Sequence, residues 1–268
     1  MKEIGIRAAT GAVYVGLTLL AACMGGLATF ILFGPVCWLA AGELHNLLHP
    51  TSQGQVRSQL LAVGSYAVLG LPAATPFEPT GSVLVACMLA LVIISVCTIL
   101  ARNAASPGTA FGNDLLLLML IGAPFALLAH LVDMAQTPTL MIGIMILLWT
   151  NETGAYLTGK FFGKHKMIPS ISPKKTWEGL VGGIGFTLLF AWFMSMAWDV
   201  VTLPQWLVIA LIVAALSTVG DLFESALKRA RGVKDSGTIL PGHGGILDRF
   251  DGLLLVVPGV WAYLQVVL

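Results

Sequence analysis

The sequence predicts an all-α, polytopic integral membrane protein with about nine transmembrane helices, and three observations lead there. Of its 268 residues, 57% are hydrophobic and 10% charged, where a soluble chain carries about 25% charged residues. The mean hydropathy is +0.90, so most of the surface must face lipid. The apolar residues also gather into runs near the length that crosses a bilayer, about 17–25 residues.

In order, the runs are Ala8–Met24, Leu27–Leu44, Gln59–Ala74, Val83–Leu100, Leu115–Val132, Leu140–Phe161, Leu180–Ala197, Trp206–Leu227 and Leu253–Leu268. The third is the shortest in apolar content. Gly25-Gly26, the stretch from Pro72 to Pro79, Ser106-Pro107-Gly108 and Pro138 supply the breaks. Arg7 precedes the first run, which leads into the second with no convincing processing site, so it reads as a retained anchor. The chain divides into N-terminal transmembrane helices over 1–138 and C-terminal helices over 139–268. The latter carry the loops that hold the chemistry.

Charge placement gives an orientation. With the N-terminus cytoplasmic, loops alternate across nine segments and all fourteen Lys and Arg residues fall on one side. The opposite side holds only Glu78, Asp133 and Asp199. This is the positive-inside pattern. A net charge of +1 gives no basic field for nucleic acid. Cys23, Cys37, Cys87 and Cys97 lie in apolar runs without metal or redox spacing, and read as small hydrophobes.

Ten of the fourteen bases occupy two short stretches, Lys160 to Lys175 and Lys228 to Arg249, and eight of thirteen acids lie from Glu152 onward. Within Trp149-Thr150-Asn151-Glu152-Thr153-Gly154-Ala155-Tyr156, Glu152 puts an acid inside an apolar helix, where charge is costly and lines a cavity or meets a partner. The stretch Ser170-Ile171-Ser172-Pro173-Lys174-Lys175-Thr176-Trp177-Glu178-Gly179 reads as a helix start. Ser172 is its N-cap, Pro173 its first helical residue, and Lys174 and Lys175 stand at a phosphate-favouring N-terminus.

The third feature runs from Gly220 to Gly252. Asp221, Glu224 or Ser225, and Lys228 recur at helical spacing and share one face. Asp248 and Asp251 share a face if the last helix begins near Ile246. Carboxylates on two meeting helices could grip Mg²⁺, which favours a few carboxylates plus phosphate oxygens and water. Glycines around His243 allow tight turns near a ligand. The bland alternatives are a His243–carbonyl bond and an Asp248–Arg249 loop ion pair. Acids for metal beside bases for phosphate is the composition that phosphoryl or nucleotidyl transfer needs.

These residues carry a resemblance. Ser225-Ala226-Leu227-Lys228-Arg229, Lys234-Asp235-Ser236-Gly237 and Leu240-Pro241-Gly242-His243-Gly244-Gly245-Ile246-Leu247-Asp248-Arg249-Phe250-Asp251 resemble the signature of the phosphatidate cytidylyltransferases, or CDP-diacylglycerol synthases. Ser172 to Gly179 and Thr153 to Tyr156 are similar to further motifs of that family, over roughly 149–252. Glu152 departs from it, since members usually carry Asp there.

The resemblance implies that CTP reacts with phosphatidic acid, giving CDP-diacylglycerol and pyrophosphate, with Mg²⁺ or two metal ions as cofactor. The charge placement puts this reaction on the cytoplasmic face, and a chain of this size suggests a bacterial inner membrane. Asp221, Asp248 and Asp251 are then the expected catalytic residues, and Asp221, Asp248 and Glu224 the metal ligands. Substrate contacts are expected from Ser172, Lys174, Lys175, Thr176, Lys228, Arg229, Lys234, Asp235, His243 and Arg249. Membrane lipids are expected partners, with a homodimer as an option.

Two rival readings compete with this one. The CDP-alcohol phosphatidyltransferases need further acids downstream, and none follows Asp251. A transporter would use Glu152 and Asp221 for a coupling ion, but the charge gathers on one side and no inverted repeat is evident.

Overall fold

The computed structural model describes residues 2–49, 51, 53–75, 81–102, 104–240 and 244–268, with side chains from residue 11 onward. The expected outer residue Glu78 and the expected ligand contact His243 lie outside the described residues. The chain is almost entirely helical, and every apolar run named above lies in helix. Among the described residues, seven helices are long and apolar enough to cross a membrane, and Gly11–Met24 is a shorter apolar helix. Helix α3 (Gln55–Ala74) is outside the seven. The expected nine helical segments are therefore present, and among the described residues seven of them have the length and hydropathy of a span.

The chain forms two compact units, residues 1–136 with 235–249, and residues 137–234 with 250–268. The first contains α1 (Lys2–Met24), α2 (Gly26–Leu48), α3, α4 (Gly81–Ala101), α5 (Pro107–Leu116) and α6 (Ala123–Ala135). Phe33, Cys37, Leu44, Leu117, Ile121, Phe125 and Leu128 are fully buried in it. Between α5 and α6 the helix widens into a π turn over Leu117–Gly122. The cause is Pro124, which has no N–H and crowds the carbonyl four residues back. The hydroxyl of Ser65 on α3 donates to the Leu118 carbonyl there at 3.0 Å.

A part-buried ion pair ties three helices of this unit. The guanidinium of Arg57 (α3) grips the carboxylate of Asp114 (α5), with Nη1 2.9 Å from Oδ1. The Ser95 hydroxyl (α4) donates to the same carboxylate at 2.5 Å, and Arg57 Nε donates to Thr98 at 2.8 Å. Cys37 is buried while Cys23, Cys87 and Cys97 are exposed on apolar helices, in keeping with their reading as hydrophobes.

The second unit contains α7 (Thr139–Phe162), a hairpin of β1 (Lys166–Ile168) and β2 (Ser172–Thr176), α8 (Trp177–Ala197), α9 (Leu203–Ala230) and α11 (Leu253–Val267). A one-turn helix α10 (Leu247–Phe250) precedes α11. Helix α7 packs closely on α8, because a Cβ at Gly154 would lie 2.8 Å from Phe186. Asn151 Nδ2 donates to Ser217 Oγ of α9 at 2.8 Å. Such side-chain bonds hold apolar helices together where lipid supplies no hydrophobic drive.

Two expectations are corrected here. Ser172 is not an N-cap: Ser172 to Thr176 form an extended strand paired with β1. The helix begins at Trp177, and its N-cap is Thr176, whose hydroxyl accepts from Gly179 N at 3.1 Å. A start at Pro173 would set two lysines against the positive end of the helix dipole, whereas the observed start places Glu178 there. The apolar segment Leu247–Val267 is also not regular throughout: a turn at Asp251-Gly252 interrupts it after α10, so Asp251 lies outside regular helix.

Candidate active site

In the second unit the site is built on the last turns of α9. Helical spacing puts Asp221 one turn before Ser225, whose hydroxyl donates to Asp221 Oδ1 at 3.1 Å. Glu224 stands one turn before Lys228, with Lys228 Nζ 2.6 Å from Glu224 Oε2. Both partners of that pair are buried. The positive end of the pair sits in the last turn of α9, where the helix dipole favours cations.

The hairpin delivers a second lysine. Lys175, near the end of β2, places Nζ 2.5 Å from Asp221 Oδ2. Lys174, adjacent on the strand, points the other way and is exposed, and Ser172 is half-buried. Thr176 is buried as the cap of α8. Glu178 holds the other side of the hairpin, accepting from the Lys164 and His165 backbone N–H groups at 3.1 and 3.2 Å. The exposed guanidinium of Arg229 donates to the carbonyls of Ile171 at 3.3 Å and Val233 at 2.8 Å, joining the hairpin to the end of α9.

Asp251 enters from the break before α11. Its carbonyl is pressed against α9 at Gly220, where a Cβ would come within 2.5 Å. This contact needs a glycine directly before Asp221, and it brings Asp251 beside that residue. Asp221, Glu224 and Glu152 all lie near enough to act on the charge of Asp251. Four acids, from α7, α9 and the turn before α11, therefore gather with Lys175 and Lys228 in one unit.

In the first unit, the described residues around Ser236 and Gly244 to Asp248 are pinned to one another. Asp248 Oδ2 accepts from Ser236 N at 2.9 Å and Gly245 N at 2.8 Å. Leu240 N donates to the Gly244 carbonyl at 2.9 Å, and Gly244 has φ of +83°, a conformation that favours glycine. Lys234, Asp235 and Arg249 are exposed around this loop. One carboxyl oxygen of Asp248, expected as a metal ligand, is thus engaged with its own loop.

The same loop is held by a residue outside every motif. Glu43 of α2 is 4% exposed. Its carboxylate accepts from Ser236 Oγ at 2.8 Å, Ile246 N at 2.9 Å and Leu247 N at 2.8 Å. A signal for it existed, since an acid in an apolar helix is as costly at Glu43 as at Glu152. What sequence could not supply was its partner, about two hundred residues away.

The family model described as the cytidylyltransferase family matches residues 5–267. The chain belongs to the cytidylyltransferase family. Relatives named phosphatidate cytidylyltransferase are similar to it: one from Staphylococcus saprophyticus is 49% identical over 114 residues, 42% of this chain and 44% of that protein. One from Staphylococcus epidermidis is 47% identical over 114 residues, with the same coverage of both chains. The aligned stretch thus spans less than half the length of these relatives. As a cytidylyltransferase family member with several helices fit to cross a bilayer, the chain is an integral membrane protein.

One consequence of this geometry concerns Arg229. Its fork joins two carbonyls that a lysine, with a single point of charge, cannot span together. Arg229→Lys is expected to lower kcat/KM about tenfold despite the retained charge, measured by steady-state kinetics in mixed micelles.

Proposed function

We propose that this chain is a phosphatidate cytidylyltransferase of a bacterial inner membrane, converting CTP and phosphatidate to CDP-diacylglycerol and pyrophosphate. The observation that carries this reading is the pair of lysine–carboxylate contacts on one end of α9, Lys175–Asp221 and Lys228–Glu224, with Asp251 alongside. Acids that attract a cation and bases that attract phosphate stand together there. The names of the relatives support the substrates.

In the reaction, a phosphate oxygen of phosphatidate attacks the α-phosphorus of CTP. A new P–O bond forms as the bond to the bridging oxygen breaks, and pyrophosphate leaves with that electron pair. The nucleophile is already anionic, so no side chain needs to remove a proton. The protein's task is to align two anions and offset their repulsion.

The donor set fits Mg²⁺. Among the described residues no three acid, His or Cys side chains are placed to hold a metal by themselves. Magnesium, however, takes only one or two carboxylates and completes its shell with substrate phosphates and water. Asp221 would hold it, with Asp251 and Glu224 beside it. When bound, the ion neutralises charge on the triphosphate and on the departing pyrophosphate. Lys175, already on Asp221, is assigned to the triphosphate, and the exposed Lys174 to the phosphatidate headgroup. Lys175→Gln is therefore expected to raise the KM for CTP several-fold and leave that for phosphatidate, while Lys174→Gln does the reverse. Equal effects on both substrates from either variant would break this division.

The direct test is purified protein with CTP, phosphatidate and Mg²⁺, following pyrophosphate release. No release above background would end the proposal. Orientation is tested separately. In a background lacking the four native cysteines, Ser170→Cys and Thr238→Cys, both at exposed positions, are expected to react with impermeant maleimide only from the cytoplasmic side. Labelling from outside at either position would invert the proposed topology.

A further inference from the structure

We propose that Glu43 is a positioning residue for substrate binding: from α2, it holds the 236–247 loop in its binding shape. This rests on the cytidylyltransferase reading for its consequence, but its geometry stands by itself. Glu43 is buried in an apolar helix, and both of its carboxyl oxygens are occupied by donors from this loop. Oε1 takes Ile246 N, while Oε2 takes Ser236 Oγ and Leu247 N. The donors come from both ends of the loop, so the carboxylate closes it at the neck. Asp248 adds a second closure between Ser236 and Gly245. Between Ser236 and Gly245, Leu240 N also donates to the Gly244 carbonyl.

Gly245 is made necessary by this arrangement. A Cβ there would collide with Ser236 Oγ and with the Glu43 carboxylate. One glycine of the Gly244-Gly245 pair thus serves the clamp, and the other serves the turn. A buried carboxylate must be satisfied by hydrogen bonds, and backbone N–H groups are strong partners for it. An amide in its place offers one acceptor oxygen and one donor group, so it can keep the bonds on one side only. The other side would set N–H against N–H.

The kinetic consequence follows from population. If the clamp is lost and the loop is ordered only part of the time, apparent affinity falls by the ordered fraction, while a saturating ligand restores order. Glu43→Gln should therefore raise the KM for CTP about tenfold or more, with kcat within about threefold and the KM for phosphatidate little changed. Ser236→Ala removes one of the three bonds and should give the same split at about threefold. A residue that only supports the fold would lower kcat in step with the amount of folded protein and leave both KM values alone.

The experiment combines these kinetics with hydrogen exchange on the full-length protein in detergent. Peptides covering Ile246 and Leu247 are expected to exchange about tenfold faster in Glu43→Gln, with α6 and α11 unchanged. Unaltered exchange at those two amides overturns the clamp. So does faster exchange with unchanged KM values in both variants, provided the wild-type protein turns over CTP and phosphatidate. If the wild-type protein does not, the reaction assignment fails while the exchange result still decides whether Glu43 holds the loop. Should Glu43→Gln not fold, Ser236→Ala carries the same two readouts.

Discussion

Asp221→Asn is expected to reduce turnover by about 100-fold or more while the protein inserts, purifies and melts as the wild type does. The activity loss follows from the role proposed for Asp221. An amide lacks the charge that would bring a cation to the phosphates, and each 1.4 kcal/mol of lost transition-state stabilisation is about tenfold in rate. The unchanged melting follows from exposure. The side chains of Lys175 and Asp221 are 25% and 37% exposed, and ion pairs so close to solvent contribute about 0–1 kcal/mol. Pyrophosphate release and thermal unfolding, measured on one preparation, check both halves. Retention of a third of the activity would remove Asp221 from the reaction.

Lys228→Gln is expected to behave in the opposite manner, although the pair lies one to two turns further along the same helix. The side chains of Lys228 and Glu224 are 10% and 4% exposed. Taking the lysine away leaves a buried carboxylate without its cation, and breaking such a pair costs about 3–5 kcal/mol. A marked fall in Tm and in yield should result. The double variant Glu224→Gln/Lys228→Gln removes both charges and should recover most of the stability. Its activity then separates two roles. If Lys228 also meets phosphate, the refolded double variant remains slow, with a raised KM for CTP. If the pair serves the fold alone, activity returns with stability. A double variant as unstable as Lys228→Gln would show that the pair is not what holds these side chains.

The fold was legible because hydropathy is a local property. Helices α2, α4, α7 and α9 begin and end within a few residues of their apolar runs, since lipid demands that backbone groups be satisfied within each segment. Reading failed where two local signals competed. Ser172-Pro173 has the form of a helix start, but pairing with β1 draws residues 172–176 into a strand and leaves Thr176 as the cap. On α9 the spacing of Asp221, Ser225 and of Glu224, Lys228 was enough to place each pair on a turn. Asp251 was found by its motif, yet its position beside Asp221 comes from a carbonyl resting on Gly220, which no periodicity encodes. Glu43 was visible only as an anomaly. Its meaning lies in donors from the far end of the chain.

The tie between Arg57 and Asp114 bears on how the chain enters its membrane. Helix α3 is outside the set of helices apolar enough to cross lipid unaided, and it carries a guanidinium whose carboxylate is made only after α4 is complete and α5 has begun. Until Asp114 is made, Arg57 lacks the carboxylate that holds it in the finished protein, so α3 gains this anchor only when α5 arrives. The anchor joins α3, α4 and α5, with Ser95 and Thr98 on α4 completing it. A chain ended after α4 lacks Asp114 and is therefore expected to hold α3 less firmly than the whole protein, which a reporter fused at that point would measure.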